Sequence, residues 1–195
     1  MLVGCGTIEG GWDVDAGRKY LIQNEPGKAL VAFRKVAQLE PGYVQQFTSF
    51  PENIWTYIGR SYYQLGELGK ARSALQRSVE AHPRAILGHI YLGLVEMRQG
   101  ESQRGLRTAL TGLRLLQAWF KHIASSMYGS YWDPKNAVRN EAASLIREIE
   151  TNVRWQQVAP RLAALGPKMD AEIQLASQDI QQATTEYDAD SAAFP

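Results

Sequence analysis

Cysteine is almost missing from this chain. Cys5 is the single one in 195 residues, which excludes an internal disulfide and any zinc site built from several thiolates. Histidine is scarce too: His82, His89 and His122 are scattered, and no two have the spacing of a zinc-protease helix, so no metal is expected. No stretch approaches the roughly 20 apolar residues of a membrane-spanning helix. Neither sign of charge dominates, since 21 basic against 20 acidic residues leave a formal net of +1; that gives no global field to attract nucleic acid, which is not an expected partner. Phosphate-loop and nucleophile-elbow sequences are missing, and Gly4, Gly6, Gly10 and Gly11 precede no strand-helix unit. The acidic pairs Asp13/Asp15 and Glu148/Glu150 are two residues apart, a spacing that turns them to different sides of a helix. Neither an enzyme nor a cofactor is expected.

What is present is a helical pattern in an otherwise ordinary globular composition, with 45% hydrophobic and 21% charged residues. It is clearest over residues 52–85. Trp55, Ile58 and Tyr62 stand at i, i+3 and i+7 and form one stripe on a first helix. Gly59 and Ala71 supply small side chains where that helix crosses a second one, and Pro83 stops the second. Leu92, Gly93, Gly100, Gly105, Ala109 and Gly112 repeat the pattern over residues 86–119. Upstream, Gly17, Tyr20, Ala29, Phe33, Val36 and Pro41 do so over residues 10–43, followed by a loop, 44–51, that carries Phe47, Phe50 and Pro51.

Trp55, Gly59, Tyr62, Gly66, Ala71, Leu75 and Pro83 at these spacings resemble the tetratricopeptide repeat family, and the resemblance covers residues 10–119. It implies an all-α solenoid of about three antiparallel helix pairs, with a C-terminal helical segment after it. The family's function is to bind another protein or peptide on a concave face lined by first-helix positions. Those positions are Val14, Arg18, Leu21 and Ile22, then Thr56, Arg60, Tyr63 and Gln64, then Ile90, Leu94, Met97 and Arg98, with Tyr57 and Tyr91 beside them. Arginine forks and tyrosine rings are good interface anchors, and a peptide or helix of acidic character suits them. Some relatives clamp the C-terminal carboxylate of heat-shock chaperones, but the residues for that are absent here, with Val14 and Arg18 at two of the places. The competing expectation is that the chain's own C-terminal helices cover this face, because terminal repeats need a cap.

Leu2-Val3-Gly4-Cys5 resembles a bacterial lipobox. That resemblance implies lipidation of Cys5, a tether over residues 1–9 and a protein anchored in the cell envelope facing the periplasm, at the outer membrane since glycine follows the cysteine. The apolar run of a signal peptide would then lie upstream of Met1. The alternative is a free thiol in a cytoplasmic adaptor. In outline the chain is similar to repeat lipoproteins that help assemble envelope machines.

Beyond the repeats, Leu106, Leu110, Leu113, Leu116, Phe120 and Ile123 extend the last repeat helix to about Ser125, and Arg104, Arg107 and Arg114 mark its other, solvated side. Residues 120–133 are read as this extension and a loop. Asp133 and Pro134 signal a helix start, and residues 134–188 are expected to be helical. Val138, Ala142, Leu145 and Ile149 form one buried stripe, and Trp155, Val158, Leu162 and Leu165 another, with a break at Gly166-Pro167. Met169, Ile173, Ala176, Ile180, Ala183 and Tyr187 make a narrow apolar seam that docks on the chain's own repeats, while Asp170, Glu172 and Asp179 belong to its polar faces. A disordered tail is expected over 189–195.

Overall fold

The structure is a computed structural model and describes residues 6–44, 50–126, 129–151 and 153–192, with the backbone alone at 6–10, 12, 183–184 and 186–192. The fold is all-α. Eight α-helices run in order among the described residues: α1 (Gly6–Ile22), α2 (Pro26–Leu39), α3 (Ile54–Gln64), α4 (Leu68–Ala81), α5 (Ile86–Arg98), α6 (Ser102–Ile123), α7 (Ala137–Glu150) and α8 (Trp155–Ala192). Short turns join α1 to α2, α3 to α4 and α5 to α6, and each of α1 to α7 packs most closely on a chain neighbour. This is the serial packing of helix pairs compatible with a solenoid.

Small residues set the pair crossings. A Cβ on Gly17 would run into the Phe33 ring, one on Gly59 into Leu75, and one on Gly93 into the backbone of Gly105 and Ala109. Ala29, Ala71 and Leu92 are buried at the same seams. Gly66 and Gly100 end α3 and α5 with φ of +77° and +92°, backbone that glycine adopts without Cβ strain. Asn53 caps α3 by accepting from the backbone N–H of Trp55 and of Thr56, and its amide donates to the carbonyl and hydroxyl of Ser78 on α4. The same turn carries Glu52, whose Oε1 accepts from the Leu87 N–H at 2.6 Å and so caps the next pair's first helix.

Several boundaries differ from the sequence expectation. The tether read over 1–9 is already α-helical from Gly6. Asp133 and Pro134 do not open α7 directly. The helix begins at Ala137 behind a left-handed Asn136, and the Asp133 carboxylate caps it from farther back, accepting from the Val138 and Arg139 N–H groups at 3.1 and 2.9 Å. Gly166-Pro167 does not break the chain, because α8 runs through both Pro160 and Pro167. Its backbone reaches Ala192, into the segment expected to be a disordered tail.

Helix α8 is also what closes the molecule. It packs on α1, α5, α6 and α7 and buries Val158, Leu162, Leu165, Met169, Ile173 and Ala176. Arg161 ties it to α7 through Glu141 (2.7 Å) and Glu148 (2.7 Å). Glu172 accepts the Asp133 N–H at 2.9 Å, joining α8 to the 3₁₀ turn at Gly129–Tyr131. Around that turn, Trp119 packs edge-on against Phe50 and Trp132, so the Phe50 end of the first long loop is part of the core. Phe47 lies outside the described residues.

Candidate binding face

Helices α1, α3 and α5 are the first members of the three pairs, and their facing side is where the sequence places a groove. The structure puts α8 on it. Arg60 has 0% exposure. Its Nη1 and Nη2 donate to Asp170 Oδ1 and Oδ2 at 3.1 and 2.5 Å, the two-pronged geometry in which a guanidinium and a carboxylate match best. Asp170 is buried as deeply as Arg60. Two tyrosine rings flank the guanidinium, with Tyr57 and Tyr91 centroids at 5.7 and 5.2 Å, within the range of cation–π attraction. Burial works to lower the Arg60 pKa, but the charge of the Asp170 carboxylate and its hydrogen bonds outweigh it and hold the group charged.

The helix approaches this closely because of two residues that read as punctuation in the sequence. A Cβ on Gly166 would run into the Tyr91 hydroxyl and Arg60 Nη2, so the absence of a side chain sets the distance. Pro167 has no N–H to donate back to the carbonyl of residue 163, the normal helical bond. The Tyr91 hydroxyl supplies the missing donor, reaching the Ala163 carbonyl at 2.7 Å. Gly166 thus makes room, and Pro167 leaves an acceptor for the groove tyrosine to satisfy.

The other predicted groove residues fall into three groups. Arg18 is buried next to Tyr57, with Nη2 on Asp15 at 2.5 Å and Nη1 without a partner, and the Tyr57 hydroxyl is also buried without one. Val14, Leu21, Thr56, Ile90, Leu94 and Met97 are buried side chains of the core or its edge. Tyr63 is buried edge-on against Tyr91 at 5.4 Å, Gln64 is half-buried with an unpartnered Oε1, and exposed Arg98 lies over the Tyr63 ring at 4.2 Å. Ile22 is exposed. Structure therefore brings Arg18, Tyr57, Arg60 and Tyr91 together beneath α8 and leaves Arg98 and Ile22 outside. Cys5 lies outside the described residues.

Of the repeat-packing residues, Phe33 stacks on Tyr57 at 5.0 Å and carries the Gly17 crossing. Tyr20, Trp55 and Tyr62 are half-buried, with Lys28, Arg77 and Lys70 respectively over their rings. Pro83 is exposed, and its carbonyl meets His89 Nε2 at 3.0 Å. The arginine row on α6 is largely neutralised: Arg104 pairs with Glu96 and Glu101, and Arg114 with Glu150.

Two acids of this region were not singled out as buried by the sequence pattern. The helical pattern puts Asp170 on a polar face, yet it lies one residue from Met169 and so borders the apolar seam, and that adjacency is the signal for its burial. Glu52 has 0% exposure and an unpartnered Oε2. Burial lifts its pKa to about 7, against the lowering effect of Thr56, the Leu87 N–H and Arg60. Among the described residues no cluster of histidine, cysteine, aspartate and glutamate is arranged to hold a metal, and no helix is long and apolar enough to cross a membrane. No family model matches this sequence, and no curated protein matches it.

Proposed function

We propose that this chain is a non-enzymatic protein-interaction scaffold of the tetratricopeptide-like kind whose inner groove is filled by its own C-terminal helix, so that it serves as a fixed structural piece of a larger assembly. The observation that carries this reading is the Arg60–Asp170 pair, fully buried under α8. The acidic helix that the groove residues suit chemically is supplied in cis. Tyr91 and Gly166 support the same reading, since one satisfies and the other admits the docked helix.

The test is capture of immobilised acidic and aromatic peptides by the full chain. A self-filled groove captures none in the wild type, whereas Asp170→Asn, which loosens α8 over Arg60, gains capture. Wild-type capture that Arg60→Glu abolishes, with the helical content intact, would overturn the self-filled reading in favour of an open groove.

The lipobox resemblance at Leu2-Val3-Gly4-Cys5 supports a second element of the proposal, anchoring at an envelope membrane through acylated Cys5. Mass spectrometry of the N-terminal peptide from the native membrane fraction tests it. A lipidated Cys5 as first residue upholds the anchor, and an unmodified thiol behind Met1 replaces it with a soluble adaptor.

A further inference from the structure

On the side away from α8, helices α2 and α4 both lean on α3 and leave a cleft of about 540 Å³ between them. Trp55, Ile58 and Tyr62 of α3 form its apolar floor, at i, i+3 and i+7. Its rims carry Arg34 from α2 and Lys70 and Arg77 from α4, and among the described residues no carboxylate lines it. Lys70 is paired with Glu67, one turn back. Arg77 lies over the Trp55 ring at 3.6 Å, which holds its guanidinium at the cleft. Neither Arg34 nor Arg77 has an acidic partner among the described residues. The next gap along the array is different: Arg72 of α4 bridges it to Gln99 and Glu101 at 2.7 and 2.5 Å.

An apolar stripe between two cationic rims is complementary to an acidic amphipathic helix. The chain carries such a helix. After Lys168 there is no basic residue, and past Ser177 come Asp179, Glu186, Asp188 and Asp190, with Ala183 and Tyr187 one turn apart. Ala176 is the last fully buried side chain of α8 among those described, yet the helix continues to Ala192, about 24 Å of further length. Helix α8 lies on α1, α3 and α5, whereas the cleft is lined by α2, α3 and α4.

We infer that the acidic end of α8 docks in the α2/α4 cleft of a second copy of this chain. Donor and acceptor are different surfaces, so the contact is head-to-tail and each copy retains one free end. The inference goes beyond the scaffold reading and does not depend on it, because the cleft residues take no part in holding α8.

Sedimentation of the full chain over the micromolar range tests this. Average mass should rise with concentration beyond that of a dimer, and added salt should reverse the rise. The double variant Arg34→Glu/Arg77→Glu should weaken association at least about tenfold, and so should Asp179→Lys/Glu186→Lys. Mixing the two variants should restore association between them, since each cleft then meets an α8 end of opposite charge. Arg34, Arg77 and Asp179 are exposed, and matching thermal melts verify that the fold is kept. A chain that stays monomeric throughout overturns the inference. So does association indifferent to Arg34 and Arg77, which assigns self-contact to another surface, and so does failure of the mixed variants to pair.

Discussion

The two sides of the first two helix pairs hold their cations in opposite ways. On the inner side, Arg60 is sealed between two tyrosine rings with both prongs on Asp170. On the outer side, Arg34 and Arg77 stand at an open cleft with no carboxylate among the described residues of its lining. A buried ion pair is worth little net relative to an apolar replacement, but removing one partner strands a charge in a medium that cannot solvate it. An exposed cation costs almost nothing to keep or to lose. Stability should therefore be sensitive to the inner charges and association to the outer ones, and variants that separate the two readouts test the contrast directly.

The largest effect is expected from Asp170→Ala. It leaves Arg60 charged, buried and unpaired, and should cost about 3–5 kcal/mol in chemical denaturation. Arg77→Ala on the outer side should cost less than about 1 kcal/mol. If the two losses are equal, the inner face is open to water and α8 is not docked there. Replacing both Arg60 and Asp170 by apolar residues of similar volume should recover much of the loss, since the stranded charge is then gone.

Glu52 gives a pH-dependent form of the same contrast. Its folded pKa of about 7 is above its ordinary 4.5, so the folded state binds more protons than the unfolded state between those values. Stability from this group is therefore intact below about pH 4.5 and falls as pH rises through 7, by up to about 3 kcal/mol. Glu52→Gln keeps an acceptor for the Leu87 N–H and removes the charge. Melting curves should show the variant more stable than wild type at pH 8 and the difference vanishing near pH 4.5. A difference that does not change with pH would place the carboxyl in water.

Most of the fold was legible in the sequence, and the reason is periodicity. Gly17, Gly59 and Gly93 occur at one place in successive units, and each crossing leaves no room for a Cβ. Local spacing encodes such contacts because both partners belong to one helix pair. The inner face was legible only by half. Arg18, Arg60, Tyr57 and Tyr91 could be assigned to one surface by register, but what covers it lies more than a hundred residues away, as the Arg60–Asp170 separation of 110 shows. Gly166 and Pro167 misled for the same reason. A helix judged alone ends there, whereas a helix lying on Tyr91 gains from both residues. Asp133 is a milder case, since it does cap α7, though from beyond the usual position.

Gly166 probes the docking distance without touching a charge. Gly166→Val would push α8 off Tyr91 and Arg60, and overpacking of this kind costs about 1–3 kcal/mol. Hydrogen exchange should rise in the part of α8 around Ala163 to Asp170 and hardly at all in α2 or α4. Increased exchange spread evenly over both sides would mean that α8 supports the whole array rather than only its inner face.

The smallest effect expected on the inner side is also the most specific. Tyr91→Phe removes the donor to the Ala163 carbonyl and leaves a buried acceptor that Pro167 cannot satisfy, a loss of about 1–2 kcal/mol. Pro167→Ala returns the helical N–H to that carbonyl. The phenylalanine substitution should therefore cost less in the Pro167→Ala background than in wild type, with a coupling between the sites of about 0.5–1 kcal/mol. Additive losses would mean that the tyrosine hydroxyl and the proline act separately, and the link between groove and docked helix would then rest on Arg60 and Asp170 alone.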